Sequence, residues 1–350
     1  MHVLVIGAGA IGSLLGARLA LSGHKLTLVG RQPTVDAIRT GGLILQESDG
    51  SIKSTEPRAF INLAQACAAQ PDYDLALVTV KSFDTAGVVR ELGEACSTPT
   101  PLLTFQNGVG NEELLASAFG AHRVLAGAID TPASVPTPGR VVVHRARYRI
   151  GLAPLSENMT TAGTIAEEFG RAGFSVQMYS DYRRLKWTKL LMNVLANASS
   201  ALLNWTPAEV MAHPVSALLE AKAWQETLAV MSAQNIRPVN LAGYPLQLLG
   251  PVARLLPAAW LAAGLRSFVA GGRGSKLPSL QSALILGQPS EVEWLNGAVV
   301  RTGADLSVPT PVNQVLTELL LGKYSGDQRS DAVRGKPDVL MQYVRAAAMA

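Results

Sequence analysis

A lysine and two asparagines, Lys189, Asn193 and Asn197, recur at i, i+4 and i+8, a spacing that places all three on one face of an α-helix. Around them stand Leu190, Leu191, Met192, Val194, Leu195 and Ala196. A helix that is apolar on most sides is buried, so a narrow polar stripe on it is expected to line an internal cleft. Asparagine is a poor helix former, which makes two of them an odd choice for a stripe that merely meets water. The chemistry such a stripe offers is reduction of a carbonyl. Hydride arriving at a carbonyl carbon leaves negative charge growing on oxygen, and a positioned ammonium both stabilises that charge and gives up the proton. Asn193 and Asn197 donate as well as accept hydrogen bonds, which suits a substrate carrying carbonyl and hydroxyl groups together.

The source of hydride is implied near the N-terminus. Gly7-Ala8-Gly9-Ala10-Ile11-Gly12 follows the apolar run His2 to Ile6 without a gap and opens a helical pattern reaching Leu21, the context that a dinucleotide-binding G-x-G-x-x-G needs. Gly7 allows the tight turn, Gly9 leaves the helix N-terminus open to a pyrophosphate, and Gly12 lets helix and strand pack closely. After the second strand, where an acid would bind the ribose 2′-hydroxyl of NAD, the sequence reads Val29-Gly30-Arg31-Gln32, and no acid occurs between Leu26 and Val35. Arg31 offers a planar, permanently charged fork to a 2′-phosphate, so the cofactor expected is NADP(H). Two later loops, Thr79-Val80-Lys81-Ser82 and Thr104-Phe105-Gln106-Asn107-Gly108, follow predicted strands and should face the same crevice. Lys81 reads equally as a ligand of phosphate or ribose and as an ordinary surface lysine at a helix start. Asn107 is placed to reach the nicotinamide or the substrate, with Gly108 permitting the turn.

The elements that must hold these residues alternate between period 2 and period 3.6 in the first half. Strands are expected at His2 to Ile6, Lys25 to Val29, Leu75 to Val80, Leu102 to Phe105 and Val124 to Ile129, with helices from about Ala10, Thr34, Asp84 and Asn111. Such alternation predicts a parallel sheet with crossover helices. A hairpin with Asp49-Gly50 at its turn decorates it, and Arg140 to His144 with Tyr148 to Leu152 reads as a further antiparallel pair. A helix near Glu157 to Arg171 and a strand at Phe174 to Gln177 follow. From about Asp181 the strands stop: one helix is expected over Asp181 to Leu203, another over Val215 to Gln234, then three or four more. The stretch Asn240 to Pro278 is irregular and the polar residues after Gly322 read as loosely held. The fold class is therefore α/β, an N-terminal Rossmann-type parallel sheet domain over 1–180 followed by an all-α domain over 181–350 that brings substrate and catalytic residues.

Composition narrows the class of partner. The chain has 350 residues, 48% of them apolar, and only 30 Lys and Arg against 26 Asp and Glu, without a basic block of the kind that binds nucleic acid. An anionic small molecule fits that slight excess. Cys67 and Cys96 have no Cys or His at metal-ligand spacing and read as two buried small apolar side chains in a reducing cytoplasm, with no metal site. The uncharged stretch Leu190 to Ala208 holds Asn193, Asn197, Ser199, Ser200, Asn204 and Pro207, too polar for lipid, so no membrane span is expected.

In their order and distribution the motifs resemble the ketopantoate reductase (2-dehydropantoate 2-reductase) family over nearly the whole chain. The matching pieces are the glycine motif with Arg31, Val80-Lys81, Gln106-Asn107-Gly108, Lys186-Trp187-Thr188-Lys189 with Asn193 and Asn197, Pro278-Ser279, Ser290-Glu291, Asn296-Gly297 and Pro309-Thr310-Pro311. Read alone, Glu291 is an exposed helix acid and Ser279 a helix cap. The resemblance implies that Lys189 is the general acid, that Glu291 orients it or binds substrate, that Asn193 and Asn197 contact substrate, that Ser279 helps hold a carboxylate, and that Asn107 sits between cofactor and substrate. It implies NADPH-dependent reduction of ketopantoate to pantoate, on the route to pantothenate and coenzyme A, by a cytoplasmic enzyme for which a homodimer is a compatible assembly. The sequence departs from the family pattern beside the substrate: Tyr244 to Lys276 is long and apolar, Arg273 and Lys276 add cations, and Ala283 stands where an acid is usual. A paralogous reductase of another 2-oxo acid is the first alternative, and a non-catalytic NADP-binding sensor the second.

Overall fold

The computed structural model describes residues 1–96, 100–241, 243–272 and 277–349, and of 267, 268 and 270–272 the backbone alone. Arg273 and Lys276 lie outside the described residues. The chain divides into two compact units, one of Met1–Gln106 and Gly110–Lys186, the other of Asn107–Val109 and Trp187–Ala350.

In the first unit the elements run β1 (His2–Ile6), α1 (Ala10–Leu21), β2 (Lys25–Val29), α2 (Gln32–Gly41), β3 (Leu43–Gln46), β4 (Ile52–Thr55), β5 (Arg58–Phe60), α3 (Leu63–Ala69), β6 (Leu75–Val78), α4 (Thr85–Ala95), β7 (Leu102–Thr104), α5 (Asn111–Phe119), β8 (Val124–Ile129), β9 (Ala133–Thr137), β10 (Arg140–Val143), β11 (Arg149–Pro154), α6 (Ala162–Arg171) and β12 (Ser175–Met178). Eight strands form one sheet in the order β12-β11-β8-β7-β6-β1-β2-β5. Every neighbour pair from β8 to β5 is parallel, and β11 runs antiparallel to β8. β1 has β2 on one side and β6 on the other, so the order reverses there, and the crevice at its carboxyl end is where such sheets bind ligands.

A second sheet, β4-β3-β10-β9, covers the outside of α1. That helix therefore packs against β1 and β2 on one side and against the small sheet on the other. This explains why AIGSLLGARLAL is apolar nearly all round: Leu14, Leu15, Ala17 and Leu19 are all fully buried. The expected hairpin is present as β3 and β4, with Gly50 at positive φ in its turn. The expected pairing of Arg140 to His144 with Tyr148 to Leu152 is not. β10 pairs with β9 and β3, whereas β11 joins the main sheet against β8, so the two segments belong to different sheets. Neither β9 nor β5 stood out from a local pattern.

Cys67 and Cys96 also correct the sequence reading. The pair forms a disulfide with Cα atoms 5.7 Å apart, because α3 and α4 lie side by side and bring together residues 29 positions apart.

The second unit is helical: α7 (Tyr182–Val194), which begins in the first unit, then α8 (Ala198–Leu203), α9 (Pro207–Ala212), α10 (Pro214–Ala233), α11 (Leu246–Leu255), α12 (Ala258–Gly272), α13 (Ser279–Ile285), α14 (Asn296–Asp305), α15 (Pro311–Ser325), α16 (Gln328–Ala332) and α17 (Pro337–Ala347). α10 is its axis, packed by α9, α11, α12, α14, α15 and α17. Its buried residues include Leu219, Trp224, Leu228 and Met231. The helices after α10 outnumber the three or four expected. α11 and α12 occupy most of the stretch read as irregular, and the polar tail is held: α17 buries Leu340, Met341 and Val344 at i, i+1 and i+4 between its charges. Among the described residues no helix is long and apolar enough to cross a membrane.

Candidate active site

In the first unit the glycine turn is built by backbone. Gly7, at φ +105°, donates its N–H to the Val29 carbonyl at 2.9 Å, which ties the turn to the end of β2. The Thr79 hydroxyl donates to the Gly7 carbonyl at 2.8 Å, and a Cβ on Gly7 would meet Val80 N at 2.7 Å. The Thr79–Lys81 loop therefore lies against the turn. Gly9 is exposed and caps α1 with no side-chain hydrogen bond, and a Cβ built on it meets nothing within 4 Å. No acid occupies the first turn of α1. The first N–H groups of that helix thus face open space with the positive end of the helix dipole behind them, a cradle for an anionic diphosphate. Gly12 serves packing, since its Cβ would fall 2.1 Å from the Gly7 carbonyl oxygen. Ala8, Ala10 and Ile11 complete the turn as half-buried residues. Gly30 abuts Ala8, where an added Cβ would approach the Ala8 Cβ to 2.8 Å, so the exposed Arg31 begins next to the cradle. Lys81, also exposed, precedes the short 3-10 turn Ser82–Asp84. These residues fit a dinucleotide phosphorylated at the ribose 2′ position, with Arg31 and Lys81 as the cations.

α7, which runs from the first unit into the second, is launched by Asp181, whose Oδ1 accepts from the N–H groups of Arg183 and Arg184. Lys189 sits half-buried one turn before Asn193. The helix does not run on to Leu203. It stops at Val194, and Ala196 takes φ +47°, which a non-glycine residue rarely adopts. Asn197 therefore reaches its place by a turn rather than by helical phase. It is buried, and its Nδ2 donates to the Asn193 carbonyl at 3.1 Å and to Ser279 Oγ at 3.3 Å. Its Oδ1 accepts the Leu280 N–H at 3.1 Å. Ser279 is exposed and is the first residue of α13, with Pro278 in the cap position expected of the serine. Asn193 Nδ2 donates to Asn107 Oδ1 at 3.0 Å. Gly108, at φ +82°, brings this turn against the 3-10 turn Val292–Trp294, since its Cβ would lie 2.3 Å from the Trp294 carbonyl oxygen. Glu291 precedes that 3-10 turn and is 5% exposed, a correction to its reading as a surface acid.

Asn107, Asn193, Asn197 and Ser279 thus form one hydrogen-bonded chain, with Lys189 on the same helix and Glu291 on the segment that packs against the Asn107 turn. Two residues in the first unit escaped the sequence reading. Lys186 and Glu112 make an ion pair at 2.8 Å with side chains 3% and 1% exposed, and Lys186 Nζ also donates to the Gln106 carbonyl at 2.6 Å. Burial pushes the Glu112 carboxyl above the usual carboxylate range, while the charge and hydrogen bond of Lys186 pull it back. In sequence Lys186 stood out only as part of the motif leading to Lys189, on a helix that also carries Arg183 and Arg184, and Glu112 gave no signal.

A glycine cradle at a helix N-terminus, on a sheet of this topology, places the protein in the class of dinucleotide-binding proteins, and its family makes it an NADP-dependent oxidoreductase. The chain belongs to the ketopantoate reductase family: the model of Ketopantoate reductase PanE/ApbA matches residues 3–157 and that of Ketopantoate reductase PanE/ApbA C terminal matches residues 181–324. The 2-dehydropantoate 2-reductase of Halobacterium salinarum is 30% identical over 328 residues, covering 91% of this chain and 98% of its own. Among solved structures, a PanE/ApbA family ketopantoate reductase from Ralstonia eutropha superposes with a TM-score of 0.80 at 26% identity, covering 94% of this chain and all of that one. D-mandelate dehydrogenase, solved with NADH and anilino(oxo)acetate, superposes at 0.79 over 94% of this chain and 99% of its own. At 20% identity that likeness is one of fold.

Proposed function

We propose that this chain reduces 2-dehydropantoate to pantoate with NADPH. The observation that carries the reading is the hydrogen-bonded chain Asn107–Asn193–Asn197–Ser279 beside Lys189, in a member of this family. When bound, the reduced nicotinamide supplies the hydride. Lys189 stabilises the negative charge that grows on the carbonyl oxygen and gives it a proton, so one hydride and one proton convert the carbonyl to a secondary alcohol. Asn193 and Asn197 face the carbonyl and hydroxyl groups, Ser279 holds the carboxylate, Glu291 orients Lys189 or binds substrate, and Asn107 stands between cofactor and substrate. Arg31 selects NADPH through the 2′-phosphate, with Lys81 as a second phosphate or ribose contact. The domains we assign are 1–180 for cofactor and 181–350 for substrate. The compartment is the cytoplasm and the partner a small 2-oxo acid. Nucleic acid has no part in this reading, and a homodimer is compatible with it.

NADPH absorbance followed with purified protein and a panel of 2-oxo acids tests the reaction. Turnover of ketopantoate is expected, while turnover confined to another 2-oxo acid would favour the paralogue. Binding of NADPH without turnover of any would favour the sensor. Lys189→Ala should lower kcat by about 10²-fold or more while leaving NADPH binding in place. An unchanged kcat rejects the role given to Lys189.

A further inference from the structure

The chain leaves the first unit at Gln106/Asn107, returns to it at Val109/Gly110 and leaves it again at Lys186/Trp187. The last first-unit residues at the two departures are bonded to each other: Lys186 Nζ donates to the Gln106 carbonyl at 2.6 Å, and the same ammonium is paired with Glu112 at 2.8 Å. Nothing about stability requires this arrangement. Two charges taken almost wholly out of water are replaceable by apolar side chains of similar volume, often with no loss of stability. The Gln106 side chain is pinned as well, its Nε2 donating to Thr85 Oγ1 at 2.7 Å and its Oε1 accepting from Thr104 Oγ1 at 2.9 Å. Thr85 in turn donates to Asn111 Oδ1 at 2.8 Å, on the residue before Glu112.

We propose that Lys186 and Glu112 are positioning residues: their buried pair clamps together the two points from which the chain departs to present Asn107 and Lys189. Asn107 is the residue after Gln106, and Lys189 stands three residues beyond Lys186. A misplacement of about 1 Å at a reacting centre lowers rate by as much as about 10²-fold, so a clamp at the base of both segments governs turnover without touching substrate. A hydrophobic pair would fill the same volume but could not donate to the Gln106 carbonyl. The inference rests on the roles proposed above for Asn107 and Lys189.

The double variant Lys186→Met/Glu112→Leu tests it, with Lys186→Met alone as a companion that leaves a carboxyl buried without its cation. The double variant is expected to stay folded, with a thermal midpoint within about 10 °C of the parent's because the Gln106 carbonyl loses its donor, and to bind NADPH with unchanged Kd. Its kcat on the 2-oxo acid that the parent turns over best should fall by about 10-fold to 100-fold. Hydrogen exchange of the peptides spanning 106–111 and 186–190 should accelerate by about 10-fold or more if the clamp orders them. Parental kcat together with parental exchange in a stable double variant overturns the proposal and leaves the pair a structural one. Exchange is read without substrate, so a parent protein that turns over no 2-oxo acid would sink the proposed function while accelerated exchange still upheld the clamp.

Discussion

Replacing Gly12 by alanine separates packing from ligand binding in the glycine motif. The new Cβ would lie 2.1 Å from the Gly7 carbonyl oxygen, 2.4 Å from Thr79 Oγ1 and 3.1 Å from Val5 Cγ1. Carbon and oxygen approach no closer than about 3.3 Å without strain, so α1 and the turn must part by about 1 Å. Thr79 can rotate away only by giving up its bonds to Gly7 and Ile6. Overpacking of this kind costs about 1–3 kcal/mol, a lost hydrogen bond adds about 1 kcal/mol, and alanine's better helix propensity returns about 1 kcal/mol. The net loss is about 1–3 kcal/mol, or about 2–10 °C in thermal midpoint. Parting the helix from the turn also misaligns the N–H groups offered to the diphosphate. Losing one charge-assisted hydrogen bond weakens NADPH by about 10-fold to 100-fold. Gly9→Ala is the control, because its Cβ meets no protein atom within 4 Å. It should keep the parental midpoint and still bind NADPH at least about 10-fold more weakly, by obstructing the ligand itself. Differential scanning fluorimetry and fluorescence titration of NADPH read both variants. A Gly12→Ala protein with parental midpoint and Kd refutes the close-packing argument. A Gly9→Ala protein with parental Kd refutes the cradle.

Arg31→Ala should raise KM for NADPH by about 10-fold and narrow the preference over NADH, with kcat little changed; a preserved preference would remove Arg31 from 2′-phosphate recognition. Asn197→Ala should lower the thermal midpoint as well as raise substrate KM, since its amide serves Asn193, Ser279 and Leu280 together, and a midpoint equal to the parent's would deny the structural share. Burial, then the N-terminal ammonium, holds His24 below its ordinary 6.5, with Glu168 pulling the other way. The unfolded chain therefore takes up this proton at a higher pH than the folded one, so the stability contributed by neutral His24 is present above about pH 6.5 and declines as pH falls below it. His24→Gln should shrink the drop in thermal midpoint between about pH 7.5 and about pH 5.5. An undiminished drop would assign the acid sensitivity elsewhere.

The glycine turn and the elements around it were legible because they are local and built by backbone. Strand, glycine turn and helix N-terminus are consecutive in sequence, and Arg31 lies at the end of the adjoining strand, so position and composition coincide. The parallel sheet followed from the same alternation. What was not legible depends on distance along the chain. β10 and β11 are close in sequence and look like partners, yet β10 completes a sheet over α1 with β3, nearly a hundred residues earlier, and β11 adds to β8. Cys67 and Cys96 meet because two helices pack, a relation their spacing does not encode. Glu291 and the tail beyond Gly322 were misread for a related reason. Their charges suggested solvent, while burial was decided by helices that local periodicity did not place.

The break after Val194 shows why the polar stripe on α7 needs asparagines. Ending a helix inside an apolar core leaves carbonyls and an N–H group without their usual partners, and each must be met by a side chain. The Asn193 carbonyl is met by Asn197 Nδ2, the Leu191 carbonyl by the Trp224 indole at 2.6 Å, and the Ala196 carbonyl by the Ser200 hydroxyl at 2.9 Å. The Ala196 N–H is taken by the buried Glu220 carboxylate. An ionised aspartate at 197 could accept from Leu280 but could not donate to Asn193, whereas an amide does both. Helical phase alone would carry a residue at i+8 on toward the next turn; the break folds it back so that one side chain caps α7, caps α13 and places Ser279. The spacing that suggested a catalytic face was therefore meaningful for a different reason: Asn197 is set by the interruption of the helix, and the orientation of Ser279 follows from it.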